Sequence, residues 1–332
     1  MHLEVSVMKE LVRVYIGSDE RGGRGEAILR YGLQKYASCP VQAFVMEPNT
    51  VDPPYWGGHW NRGRDHMRPY AGGHGTNFTV FRWTVPEAAG YAGRAIYIDA
   101  DITVHGDIWD LYSFDLGGAC CSIRRGVILF DCEHPFWRSP HWLKVEEMRP
   151  SGLGIKDYLR KIAENNDALP LFPVEWDVLD GTEMSPYEAK LNHYTRMSKQ
   201  PYHPFPDRFG YPKQHPVKDC DKIWWETYLE LRSAEARIPV RRHAKVSNTI
   251  RQALELEAAA GLNGFGRPAG YKYHFTDFSQ FHQEAAKINP HGYRYNLETY
   301  VPFDERRYPV SLKKAVKRLL KSFRRPDLVV AK

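Results

Sequence analysis

Nowhere in this sequence does an apolar run approach the roughly 18 residues that cross a bilayer, so the expected chain has no membrane-spanning helix. Residues 1–14 carry Glu4, Lys9 and Glu10 within their apolar stretch and so lack the unbroken core of a secretory signal. Cysteine is scarce as well: Cys39, Cys120, Cys121, Cys132 and Cys220 are five, an odd number without CxxC spacing. That argues against a zinc knuckle and a disulfide framework, and it fits a reducing cytoplasm. If the Cys120-Cys121 pair is extended, the two thiols point to opposite faces and pack without bridging. Also missing is a phosphate loop of either common kind, because the glycine-rich stretch 17–25, GSDERGGRG, matches neither the Walker pattern nor GxGxxG. It reads as a plain loop.

What remains is an ordinary globular composition, 42% hydrophobic and 26% charged, long enough to bury one large core with an extension. The net charge of +6 is concentrated toward residues 306–332. There Leu312, Val316, Leu319, Leu320 and Phe323 recur at helical spacing among Lys313, Lys314, Lys317, Arg318 and Lys321. Such a stripe suits either an anionic membrane surface or packing on the chain's own domain with a solvated basic face. No nucleic-acid reader motif accompanies the charge, so nucleic acid is not an expected partner.

Along the chain, Val12, Val14 and Ile16 alternate into Gly17, Ser18 and Asp19, which predicts a first strand ending in a loop. A helix over Glu26 to Ala37 and a strand over Val41 to Met46 complete a βαβ unit, which implies a mostly parallel sheet with ligands at the strand C-termini. The stretch from Pro53 to Thr76 reads as a lid or binding loop. Its His59, His66 and His74 match no metal-site spacing. Farther on, helices are expected around Ile223 to Leu229, Asn248 to Ala260 and Phe278 to Lys287.

The stretch of most chemical interest is Arg94 to Val104, an apolar strand running into Asp99-Ala100-Asp101. In an extended chain residues two apart share a face, so both carboxylates converge at the strand end. They repel one another unless a cation lies between them, and a divalent metal bridging to a diphosphate resolves that repulsion. The pattern alone is not specific, because Asp219-Cys220-Asp221 repeats it without a preceding strand. That second pair reads as a solvated turn or helix start. A structural alternative for the first is capping of the segment before Gly106 and Asp107.

Taken in order, these segments resemble family 8 of the retaining glycosyltransferases. Ile16-Gly17-Ser18-Asp19 is similar to that family's uracil-holding loop, Phe81 to Glu87 to its donor-contacting segment with Arg82, and Tyr97 to Asp101 to its metal motif. His193-Tyr194-Thr195, with Lys199 beyond, resembles its His-aromatic signature. The resemblance spans residues 11–205 and implies an α/β fold of the GT-A type, a Rossmann-like mixed, mostly parallel sheet flanked by helices, with a C-terminal helical extension. It implies Asp99, Asp101 and His193 as metal ligands, Lys199 as a diphosphate contact, and Ile16, Gly17, Ser18, Asp19, Arg82, Ala100 and Lys199 around a nucleotide sugar. Arg124 stands where the family has an asparagine near the donor sugar, the family's Asp-Gln pair is missing, and Thr195-Arg196 replaces a glycine.

The expected reaction is therefore transfer of a hexose from a UDP-sugar to a glycan or other hydroxyl acceptor, with retention. An imidazole beside two carboxylates makes manganese the expected ion, with magnesium the alternative. Asp177, and after it Asp167, is the candidate group on the sugar's far face. The expected domains are 11–215 for the transferase, 216–305 for the helical extension and 306–332 for the basic tail, in a cytoplasmic protein whose tail is its candidate membrane contact. Two other classes fit parts of the pattern. A sugar-phosphate nucleotidyltransferase would also place acids at a strand end, and a non-catalytic carbohydrate-binding protein would use the chain's nine Trp and twenty Tyr.

Overall fold

The structure, a computed structural model, describes residues 10–18, 23–46, 81–139, 162–164, 169–195, 215, 217–241 and 245–262. Its centre is a five-stranded sheet in the order β2-β1-β3-β6-β5, made of β1 (Val12–Gly17), β2 (Val41–Met46), β3 (Arg94–Asp99), β5 (Cys121–Arg124) and β6 (Val127–Asp131). A smaller sheet runs β4-β8-β7, from β4 (Ile102–Val104), β8 (Leu191–His193) and β7 (Val178–Leu179).

Helix α1 (Gly23–Tyr36) joins β1 to β2, and those strands and β3 run parallel, as the opening βαβ pattern predicts. The expectation of a mostly parallel sheet holds only for this half. β6 pairs antiparallel with both β3 and β5. For β5 and β6 the reason is local: Arg124 faces Val127, so Arg125 and Gly126 form a two-residue hairpin, and such a connection can only reverse the chain.

The strands are buried on both faces, which explains their apolar character. On one face Tyr15, Phe44, Tyr97, Ile128 and Phe130 form a cluster with Trp83 and Trp137. On the other, Val14, Ile16, Val45, Ile96, Ile98 and Leu129 meet Leu29 and Leu33 of α1 and Ile108 and Leu111 of α3 (Ile108–Tyr112). This period-two division along each strand fixes the register, since a one-residue slip would exchange the two cores. Gly32 brings α1 close to β4, where a Cβ would lie 2.6 Å from the Val104 carbonyl oxygen.

Several sequence expectations change at this level. Helix α1 starts at Gly23, three residues before Glu26, so Gly23 and Gly25 belong to its first turn and not to a plain loop. Cys120 precedes β5, and its sulfur lies 3.8 Å from that of Cys121 within one buried cluster, so the thiols do not point to opposite faces. They stay unbridged, and all five cysteines are free. Asp219-Cys220-Asp221 does open a helix, α4 (Lys218–Ala236), but Cys220 and Asp221 are buried, not solvated. Among the described residues no helix is long and apolar enough to cross a membrane. The basic tail, the Phe278 to Lys287 helix, and His59, His66 and His74 lie outside the described residues.

Helix α4 pairs with α5 (Val246–Ala259), and Trp224, Tyr228 and Ala253 share a core with Ile28 and Tyr31 of α1. Within that contact Arg24 makes two bonds to Glu257, at 2.8 and 2.9 Å, and the Tyr228 hydroxyl donates to Glu257 at 2.8 Å. The side chains of Arg24 and Glu257 are only 6% and 5% exposed, so the two charges depend on each other. Removing one partner of a buried pair costs about 3 to 5 kcal/mol, whereas a single neutral hydrogen bond contributes about 1 kcal/mol. Glu257→Ala should therefore lower the urea midpoint of unfolding several-fold more than Tyr228→Phe, and equal midpoints would show that the pair contributes little.

Candidate metal centre

The site is assembled where β3 turns into β4, beside the ends of β1 and β8. Strand β3 ends at Asp99, whose N–H donates to the Gly126 carbonyl at 3.0 Å, while the Ala100 N–H donates to the Gly17 carbonyl at 2.9 Å. Gly17 and Asp99 are direct neighbours in the β1–β3 register, so the loop after β1 begins beside the carboxylates. Ala100 and Asp101 then form a turn into β4. The carboxylates do converge, but through that turn and not through the alternation of a continuous strand. Strand β8 lies antiparallel to β4 with Ile102 opposite His193, and the Tyr194 N–H donates to the Asp101 carbonyl at 2.9 Å. Residues far apart in sequence thus meet: one donor atom each from Asp99, Asp101 and His193 lies within 4.8 Å of the others.

All three are buried, at 8%, 7% and 4% exposure. Around Asp99, the Arg82 Nη2 donates to both carboxylate oxygens at 3.1 and 3.0 Å, and the Tyr97 hydroxyl donates at 2.7 Å. Arg82 also reaches the Arg125 carbonyl through Nη1 at 2.7 Å and stacks over the Tyr97 ring. Asp107 takes the capping role considered for the acidic pair, accepting from the Trp109 N–H at the start of α3.

Burial pushes the Asp99 carboxyl up from its ordinary value, against the opposing pull of Arg82, and the nearby Asp101 raises it further. For His193 burial acts downward, but Asp101 and Asp177 outweigh it and hold the imidazole well above its ordinary range. Its Nε2 lies 3.3 Å from an Asp101 oxygen and its Nδ1 2.7 Å from Asp177.

The donor set fits a divalent cation. Two carboxylate oxygens and an imidazole nitrogen within 4.8 Å of one another can all reach an ion at bond lengths of about 2 to 2.5 Å. The mixed oxygen and nitrogen set favours manganese or another transition ion over calcium.

Other expected site residues are distributed as follows. Ile16 and Gly17 end β1 and Ser18 follows it, all three buried, with the Ser18 N–H held by the Met46 carbonyl at 2.9 Å. Arg82 is bound to Asp99, Ala100 is buried in the turn, and Asp177 lies behind His193. Asp19, Asp167 and Lys199 lie outside the described residues.

Two contributors have no role assigned from the sequence: Tyr97, which opens the metal-motif segment and holds Asp99, and Gly126, at the hairpin tip. A Cβ on Gly126 would lie 2.3 Å from His193 Cε1 and 2.8 Å from Asp99 Oδ2, so only glycine fits between the two ligands. The signal available was a glycine in a two-residue turn between apolar strands.

No protein-family model matches this chain, and no curated protein matches it by sequence. Among solved structures it is similar to the apo form of WbbM, a bifunctional glycosyltransferase, at 14% identity over 67% of this chain, with a TM-score of 0.43. The chain spans half, 50%, of WbbM's length. It is also similar to the galactosyltransferase LgtC in complex with donor and acceptor sugar analogues, at 11% identity over 70% of this chain and 98% of that one, with a TM-score of 0.45. A third is the glycosyltransferase GlyE of Streptococcus pneumoniae TIGR4, at 13% identity over 74% and 64% of the two chains, with a TM-score of 0.40. These are partial superpositions at low identity, and the chemistry has to come from the site's own residues.

Because His193 binds its proton more tightly in the folded chain, it stabilises the metal-free fold fully below about pH 6.5, and this contribution is lost as pH rises through the raised value. A metal bound at Nε2 would release that proton. The Mn2+-induced rise in Tm should therefore be larger at pH 8 than at pH 6.5; an equal rise would refute a protonated His193. Gly126→Ala should fold yet bind Mn2+ at least about tenfold more weakly by calorimetry, in line with losses from disturbed ligand orientation.

Proposed function

We propose that this chain is a metal-dependent glycosyltransferase of the GT-A type, moving a hexose from a UDP-sugar to a hydroxyl acceptor, a glycan first among them, with retention. The observation that carries this reading is the buried Asp99, Asp101 and His193 cluster at the C-terminal end of β3, beside the end of β1. In open α/β sheets ligands bind at such strand ends. A nucleoside diphosphate bound at this end would have Ile16, Gly17 and Ser18 at hand for its base and ribose, with Asp99, Asp101 and His193 as the residues to hold a cation for its phosphates.

Held by Asp99, Asp101 and His193, a divalent ion would neutralise the diphosphate as it leaves the sugar. The chain's own residues prepare that event. Arg82 and Tyr97 clamp Asp99, so its oxygens are fixed in direction before a donor arrives, and fixed dipoles and charges need no reorganisation during reaction. Lys199, by its place in the sequence, supplies a compact second charge for the phosphates. Of the two carboxylates expected on the sugar's far face, Asp177 is fully buried against His193, which leaves Asp167 as the candidate there, where a retaining reaction uses a carboxylate or relies on attack guided by the leaving group. In this reading residues 11–215 carry the machinery and 216–305 form an extension, of which α4 and α5 pack against α1.

Loss of one such electrostatic element costs about 2.7 to 4 kcal/mol, or roughly 10² to 10³ in rate. Purified Asp101→Ala should therefore lose Mn2+-dependent UDP-hexose hydrolysis or transfer by at least that order with its circular dichroism unchanged. Wild-type turnover in chelator-treated buffer would refute the reading, and the anomeric configuration of the product by NMR tests retention.

A further inference from the structure

Asp177 has no surface to offer a sugar. It is fully buried, one carboxylate oxygen lies 2.7 Å from His193 Nδ1, and the other accepts from the Gly126 N–H at 3.2 Å. Its main chain is held as firmly: the N–H donates to the Val174 carbonyl at 3.0 Å, and the carbonyl accepts from Arg125 Nη1 at 3.4 Å. The next two residues form β7, which pairs with β8 so that Leu179 stands opposite His193. Both the carboxylate and the imidazole therefore sit on paired backbone.

We propose that Asp177 is the positioning residue of the metal centre, holding His193 so that Nε2 is presented to the cation between Asp99 and Asp101. This rests on the metal reading given above. The chemistry follows from donor and acceptor counts. An ionised carboxylate only accepts, so His193 Nδ1 carries the hydrogen in this contact, and Nε2 is the nitrogen left for an ion. The Gly126 N–H prevents the carboxylate from rotating away. Gly126 thereby touches all parts of the assembly: its N–H binds Asp177, its carbonyl receives the Asp99 N–H, and its bare Cα leaves room for the His193 ring.

An amide in place of the carboxylate cannot serve both partners. With its oxygen toward His193, its NH2 meets the Gly126 N–H, donor against donor; turned around, it presents a donor to Nδ1 and favours the hydrogen on Nε2, where the cation belongs.

The test is Mn2+ affinity of the full chain, measured with Mn2+ alone by the electron paramagnetic resonance signal of the free ion. Asp177→Asn should bind about tenfold more weakly and Asp177→Ala about 10- to 100-fold more weakly, the range usual for loss of a carboxylate behind a ligating histidine. The Mn2+ concentration for half-maximal donor hydrolysis should rise in parallel, with lost rate recovered as Mn2+ is raised. Unchanged Mn2+ affinity in both variants overturns the proposal, as does a loss of rate that saturating Mn2+ does not restore, which would make Asp177 a group acting on the sugar. If Asp177→Ala fails to fold, Asp177→Asn decides. Absence of Mn2+ binding by the wild-type chain would instead sink the metal reading itself.

Discussion

Two carboxylates held under cover at one strand end repel each other, and the surrounding structure is arranged to contain that repulsion. Arg82 brings a buried guanidinium against Asp99, and His193 brings an imidazole against Asp101. Neither is local in sequence to the acid it faces. The antiparallel pairing of β4 with β8 delivers the histidine, and the segment before α2 (Val85–Ala88) delivers the arginine. The cost of burying four ionisable groups together is repaid only when each has a partner at close range, which explains the density of hydrogen bonds around Asp99.

The sheet then has a second task besides supporting a core. By ending β1 and β3 side by side at Gly17 and Asp99, it sets the loop that follows β1 next to the acids. The β5–β6 hairpin adds a third edge. Its tip residue Arg125 adopts a positive φ of 28°, a conformation more usual for glycine or asparagine, while its carbonyl accepts from Arg82 and its side chain pairs with Glu183. That tip is therefore held from several directions, and the neighbouring Gly126 gains a fixed place between the ligands.

Much of this was legible in the residues. β1, β2 and β3 announce themselves by dense apolar sequence, and the acids after β3 stand out because a strand leads into them. What could not be read has physical causes. Strand β8 spans only Leu191 to His193, too short for any periodic signal, so His193 was reachable only through the family resemblance. The true start of α1 was hidden because Gly23 and Gly25 are poor helix formers, kept helical by packing of Arg24 against α5. The sequence shows Asp177 as an acid but not its partners, and its burial against His193 and Gly126 appears only once β7 and β8 are placed. Asp99 and Asp101 converge as their spacing suggests, but a turn and not an extended strand brings them together.

Gly32 extends these relations to the helical layer. With no side chain there, α1 rests directly on β4, and β4 in turn carries β8 and its histidine. At Gly32 the helix meets Val104 without an intervening side chain, while Leu29 and Leu33 pack in the same core as Ile102 and Val104. A shift of α1 toward the sheet at that point would press on β4, the strand that places His193 beside the acids, so the helix bears on a cluster it never touches.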